Sequence, residues 1–253
     1  MSIETLGPYL LVAFVAGYFQ TVTGFGLGMI VIGVTSALGI ASVATVAAVV
    51  SLMTLVNSAV ALPGKLQHVH WPAARAVIVA LVPSILAGVL LLGYLSESAS
   101  TLLRLALGAI IIYGGASLIM RPSRQGEPSG KSSFFVSGLL SGLCGGLFGI
   151  AGPPLIYQCY RQPFSLISIR NMLIMFFAIS ALMRTLFVGW QGGLDAQVLL
   201  LTAWGIPLIA LATYLGRRFP PPLSARTMRR LVFLVLLGIG ASLILPELGK
   251  LLA

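Results

Sequence analysis

Ala16-Gly17-Tyr18-Phe19-Gln20-Thr21-Val22-Thr23-Gly24-Phe25-Gly26-Leu27-Gly28 is a glycine-rich interruption inside an apolar stretch long enough to enter a bilayer. A second one stands in the other half of the chain. It reads Ser137-Gly138-Leu139-Leu140-Ser141-Gly142-Leu143-Cys144-Gly145-Gly146-Leu147-Phe148-Gly149 and runs on into Ile150-Ala151-Gly152-Pro153-Pro154. Glycine weakens a helix, and Pro153-Pro154 cannot continue one. Lipid tolerates freed backbone groups only where they are buried in protein or line a watered cavity. Two broken segments at matching places in two halves of a membrane chain point to a substrate site.

Composition identifies the solvent. Of 253 residues, 58% are hydrophobic and 8% charged, and the mean hydropathy is +1.05. An average soluble protein carries about 25% charged residues. Apolar runs of about 20 residues recur along the chain, which predicts an all-α polytopic membrane protein. The formal charge of +10 does not read as a nucleic-acid surface, because the basic residues occupy short gaps between apolar runs. The expected partners are a lipid bilayer and a small anionic substrate, with no nucleic acid. Glu4, and no Lys or Arg, precedes the first apolar run, so that run is expected to remain in the mature protein.

The apolar segments fall at about 6–40 (interrupted), 42–62, 72–94, 99–120, 132–160 (interrupted), 168–189, 196–216 and 226–246. This is a list of four, repeated. Gly17 and Gly24 match Gly138 and Gly145 at a shift of 121, and Asn57-Ser58-Ala59 matches Ile179-Ser180-Ala181 at 122. Pro83 matches Pro207 at 124, and Gly115-Ala116-Ser117-Leu118-Ile119 matches Gly240-Ala241-Ser242-Leu243-Ile244 at 125. A slowly growing shift is what small loop insertions produce. The expected organisation is an N-terminal repeat over 1–120, a polar cytoplasmic linker over 121–131 and a C-terminal repeat over 132–253. The linker carries Pro122, Gly126, Pro128 and Gly130 and reads as an exposed loop.

Charge placement sets the orientation. If each interrupted segment returns to the side it came from and the other six cross once, twelve basic residues share one side, among them Lys65, Arg75, Arg161, Arg170 and Arg217. Arg104 and Lys250 then face the other side together with Glu4, Glu97, Asp195 and Glu247. If all eight segments cross, the basic residues divide six against eight. The positive-inside rule selects the first arrangement. Each half then crosses an odd number of times, so the halves are inverted relative to each other. Each is a Gly-rich re-entrant helical hairpin plus three transmembrane helices, with both termini extracytoplasmic in a multi-pass protein of the cell (inner) membrane. A parallel arrangement of four plus four segments is the alternative.

Residues 6–22 and 26–40 are each about 15–17 long, near 24 Å as helix and short of a bilayer core of about 30 Å. Two such arms joined at Thr23-Gly24-Phe25-Gly26 fit a hairpin with its tip at depth, and the second would turn near Gly145 to Pro154. A helix starting after such a tip presents unpaired N–H groups and the positive end of its dipole, which suits an anion. Gln20, Thr21 and Thr23 add neutral donors beside the first tip; Ser141 and Gln158 flank the second. Gly24, Gly26, Cys144, Gly145, Gly146 and Pro153 complete the candidate substrate site. The competing reading is ordinary helix packing through small-xxx-small pairs such as Gly142 and Gly146.

Arg184 is the sharpest single residue. It lies within Ala178–Val188 with no acid nearby in sequence, and an intramembrane Arg is a functional hypothesis because burying it is costly. Its fork matches a sulfonate, sulfite or carboxylate. The alternatives are that it snorkels to the outer surface or meets Asp195. Asn57 and Asn171 are further candidates for the cavity, with an interhelical hydrogen bond as the competing role for each.

No Asp or Glu lies within an apolar segment, which leaves no carboxylate for a proton relay or a cation site. His68 and His70 fall in a basic-side loop and read as solvated residues. An intramembrane enzyme would need a buried nucleophile with His, or paired carboxylates, and neither is present. Cys144 and Cys159 sit in apolar surroundings outside any CxxC pattern, so no disulfide, metal site or cofactor is expected. The chain is compatible with a monomer or a homodimer.

The two Gly-rich motifs, the duplicated halves of about 120 residues and the small size resemble the sulfite exporter TauE/SafE family of membrane permeases, over residues 6–246. Gly145, Gly146, Gly149, Gly152, Pro153 and Pro154 match that family's Gly- and Pro-rich second motif; the first copy departs from it, with no proline after Gly28. The resemblance implies transport of small sulfur-containing anions such as sulfite or organosulfonates, often as export. Alternating access around an anion held between the two tips is the expected mechanism. A passive channel-like route and other small carboxylates are the alternatives.

Overall fold

The computed structural model describes residues 3–98, 100–119, 126–220 and 225–252. Among these residues, ten helices and one short 3-10 turn make up the order α1 (Ile3–Thr23), α2 (Leu27–Ala37), α3 (Val43–Ala61), the turn Leu66–His68, α4 (Trp71–Ser98), α5 (Ser100–Ile119), α6 (Lys131–Phe148), α7 (Gly152–Arg161), α8 (Leu166–Trp190), α9 (Ala196–Arg218) and α10 (Ala225–Leu252). No strand occurs among the described residues. Most of the linker's first half, 121–125, lies outside them, and α6 already begins at Lys131.

Apolar helices are the expected outcome, because every backbone group in a bilayer must be satisfied within its own segment. Among the described residues, α1, α3, α4, α6, α8 and α9 are long enough and apolar enough on average to cross a membrane. The outer surface carries Leu90, Tyr94, Leu102, Leu186 and Trp190, as a lipid-facing surface should. The chain is a multi-pass membrane protein. Side chains cap the starts of three long helices: Ser42 Oγ accepts from Thr45 N (3.1 Å), Ser165 Oγ from Ser168 N (3.2 Å) and Asp195 Oδ1 from Val198 N (2.8 Å).

Both interrupted segments break, but into unequal arms. α1 has 21 residues and α2 has 11; α6 has 18 and α7 has 10. At 1.5 Å per residue the first arms are about 27–31 Å, enough to cross, and the second arms about 15–17 Å. This corrects the near-equal arms read for residues 6–22 and 26–40. The second arm stops early for a local reason. Gly39 sits in the left-handed region (φ 64°) and Ser42 already caps α3, so residues 38–42 are committed to the turn.

Neighbouring side chains give the helix directions. Tyr9 donates to Leu201 O and Tyr18 to Phe219 O, both at 2.8 Å, so α1 runs parallel to α9. α3 does the same: Gly205 faces Met53, Asn57 donates to Thr213 and Arg217 to Val60 O. Gly138, Gly142 and Gly146 lie against Val77, Leu81 and Ile85, so α6 runs parallel to α4. α8 opposes α3, with Asn171 at Lys65 and Arg184 at Ser51. α5 and α10 are antiparallel, joined at one end by Arg104–Glu247 (3.2 Å) and at the other by Gly115 against Phe233. Packing pairs recur in exchanged form. α1 on α9 is matched by α6 on α4, α2 on α10 by α7 on α5, and α3 on α9 by α8 on α4.

Candidate functional site

The two breaks meet. Gly26 and Gly28 from the first, and Gly149 to Gly152 from the second, line one cavity closed by Ser51 and Thr54 of α3, Ser180 of α8 and Gln20 of α1. A side chain at Gly28 would lie 3.2 Å from Gly149 O, so the two turns are in direct contact. Gly26 (φ 112°) and Gly149 (φ 67°) hold backbone conformations that other residues reach only with strain. The cavity is about 20 Å³, space for one water or so. Its polar lining side chains are neutral hydroxyls and one amide.

Arg184 stands directly behind this wall. It is 1% exposed; its Nε donates to Gly146 O (3.0 Å) and its Nη1 to Ser51 Oγ (3.4 Å). Neither alternative from the sequence holds. The side chain does not snorkel, and Asp195 is spent on capping α9. A buried guanidinium bonded only to neutral acceptors lends positive potential to the Ser51 wall.

A second polar group separates this cavity from the basic end of the molecule. Asn57 Nδ2 donates to Thr213 Oγ1 (2.7 Å), Thr21 Oγ1 (2.9 Å) and Gly17 O (3.3 Å), while its Oδ1 accepts from Gln20 Nε2 (3.1 Å). Gln20 Oε1 in turn accepts from Leu27 N (3.2 Å), capping α2. The second break uses the same device: Ser141 Oγ accepts from Leu155 N (3.1 Å) in the first turn of α7. Gln20 and Ser141 therefore serve as acceptors, and one N–H at each short helix is already taken.

Of the candidates from sequence, Gln20 and Gly26 line the central cavity, and Asn57, Thr21 and Arg184 reach it through one hydrogen bond or two. The others do not line it, although Gly145 packs against Ser180 and Ala151 of its wall. Thr23 bonds to Phe19 O (2.7 Å) and Phe25 O (2.9 Å) within the first turn. Gly24 packs on Arg170. Gly145 and Gly146 are still helical, a turn before the break, and Gly145 O accepts from Gly149 N (2.9 Å). Cys144 is half-buried on α6, and Pro153, in the first turn of α7, abuts Gly114 of α5. Gln158 lines a separate groove with Ser137 and Tyr157. Asn171 donates to Lys65 O (3.4 Å), in the loop after α3 and not on a neighbouring helix. Sequence reasoning passed over Ser51, Thr54 and Ser180 as lining residues. Their signal is a polar stripe at helical spacing, Ser51, Thr54 and Ser58 on α3 and Ser180 with Arg184 on α8.

A family model described as sulfite exporter TauE/SafE matches residues 9–243. The chain belongs to the sulfite exporter TauE/SafE family. The matched region contains both breaks, the Asn57 group and Arg184. The chain is 57% identical to a protein of Cupriavidus necator named "Probable sulfite/organosulfonate exporter TauE", over 252 residues that cover 98% of each. No solved structure matches this TauE/SafE chain.

Proposed function

We propose that this protein exports small sulfur oxyanions, sulfite or organosulfonates, across the cell membrane by alternating access, with the anion held between the two helix breaks. One observation carries the reading: both breaks line a single buried cavity whose hydroxyl wall is backed by Arg184. Serine and threonine hydroxyls with a charge one bond away bind an oxyanion without trapping it. At about 20 Å³ the cavity is too small for a sulfonate, so substrate binding requires the helices around it to separate.

The moving parts are two inverted halves, α1–α5 and α6–α10. The reading is supported by the exchanged packing pairs and by the opposed directions of α3 and α8, α5 and α10. The second interrupted segment starts and ends at one end of the molecule, because Gln162 after α7 exchanges hydrogen bonds with Ser129 before α6. That contact supports a segment that turns back rather than crosses. The end rich in Lys65, Arg170 and Arg217 faces the cytoplasm by the positive-inside rule, which leaves both termini outside. Asn57 and its partners form the inner gate.

The test is uptake into proteoliposomes of radiolabelled sulfite, sulfoacetate, taurine and lactate, with wild type beside Arg184→Gln. Saturable flux of sulfite or sulfoacetate that collapses in the variant supports the reading. Flux of lactate alone moves the substrate class to carboxylates, and absence of flux for every sulfur anion rejects the substrate.

A further inference from the structure

A cavity of about 320 Å³ opens at the basic end, lined by Thr21, Lys65, Arg170 and Arg217. The three cations come from three places in the chain: the loop after α3, the second turn of α8 and the last turn of α9. We propose that this cavity is a second anion site, in which a free sulfonate or comparable oxyanion is held by Lys65, Arg170 and Arg217 before it passes the Asn57 gate. The proposal rests on the transport reading above and adds to it a loading step at the cytoplasmic mouth.

Three observations separate this cluster from charges that merely orient the protein. Orientation is served by basic residues anywhere in short loops and does not require them to converge. Here they converge on one concavity, and the ion pair Arg104–Glu247 lies at the opposite end. Next, Arg170 lines this cavity while its Nε is buried without a hydrogen-bond partner, so the protein itself does not fully satisfy the guanidinium. Its side-chain stem packs on Gly24, so the same arginine touches the first break. Last, Lys65 is held below its ordinary lysine range, first by burial and then by Arg170 and Arg217, a repulsion that a bound anion relieves. The cavity is also adjacent to the central one: Thr21 lines the former, Gln20 the latter, and Asn57 bonds to both.

The experiment is thiol labelling in nanodiscs of zwitterionic lipid. Cys144 and Cys159 are replaced by Ala, and a cysteine is placed on the cavity wall as Val22→Cys or, should that fold poorly, Pro220→Cys. Sulfoacetate at millimolar concentration is expected to slow a polar maleimide about tenfold relative to gluconate at equal ionic strength, and Arg170→Gln should abolish the protection, as the loss of one charge-assisted contact predicts. Labelling indifferent to sulfoacetate, or absent at both positions, overturns the proposal. So does protection produced by phosphatidylglycerol in the disc with no further effect of sulfoacetate, which would assign the cavity to a lipid headgroup. The readout does not depend on flux. A protein that transports no sulfur anion yet shows protection keeps this site and loses the transport reading; flux without protection does the reverse.

Discussion

At the scale of single residues, two polar groups matter most. Arg184 is bonded to Gly146 O and Ser51 Oγ, and both bonds depend on the geometry of the guanidinium. Arg184→Gln should lower kcat/KM for sulfite by about 10–100-fold, the value of a charge-assisted contact. Arg184→Lys should recover only part of it, because an ammonium cannot place two donors in one plane. Retention of wild-type flux in Arg184→Gln would return the residue to a packing role. Asn57 is fully buried and has four partners, so Asn57→Ala leaves Gln20, Thr21 and Thr213 rearranging around a void. We expect a stability loss of about 2 kcal/mol, read as a lower unfolding temperature, together with a leak of anion that no longer saturates. Arg184 was legible in the sequence because a charge in an apolar run is conspicuous. The Asn57 group was legible only in part: Asn57, Gln20 and Thr21 stand out as separate candidates, but their joining to Thr213, 156 residues beyond Asn57, carries no local mark.

At the scale of elements, the breaks are built by backbone conformation and side-chain caps, and the two contributions separate by mutation. Gly26→Ala meets nothing nearer than Ile30 Cδ1 at 3.8 Å, so its cost is purely that of φ 112°. About 1–3 kcal/mol is expected, seen as a lower unfolding temperature in detergent, whereas Gly7→Ala, with no atom within reach, should be neutral or slightly stabilising. Ser141→Ala removes the cap on α7 and should cost about 1 kcal/mol, or about 2–4 °C. An unchanged melting curve for both variants would mean that the breaks are held by packing alone. Glycine and proline act locally, so the positions of the breaks could be read directly. The arm lengths could not, because α2 is ended by Gly39 and Ser42, a stop signal that a window of hydropathy passes over. Gly145, paired with Gly24 by sequence, remains helical because the second break falls one turn later, at Gly149.

At the scale of the whole molecule, the orientation is open to a direct test. In a background with Cys144 and Cys159 replaced by Ala, an impermeant maleimide applied to intact cells should label Gln191→Cys, in the exposed turn between α8 and α9, and spare Gln67→Cys, exposed at the basic end. The reverse pattern, or labelling of both, would discard the inverted topology with its basic end inside. The solvent, the helical class, the two breaks and the unusual arginine are all legible in the chain, because each follows from composition or from residues with strong local preferences. Packing alone brings Gly26 and Gly149 to one cavity, lines it with Ser51, Thr54 and Ser180, and makes Lys65, Arg170 and Arg217 converge. Those are long-range juxtapositions set by which helices pack together and in which direction, and a lone serine or loop cation carries no local mark of the neighbour it will meet.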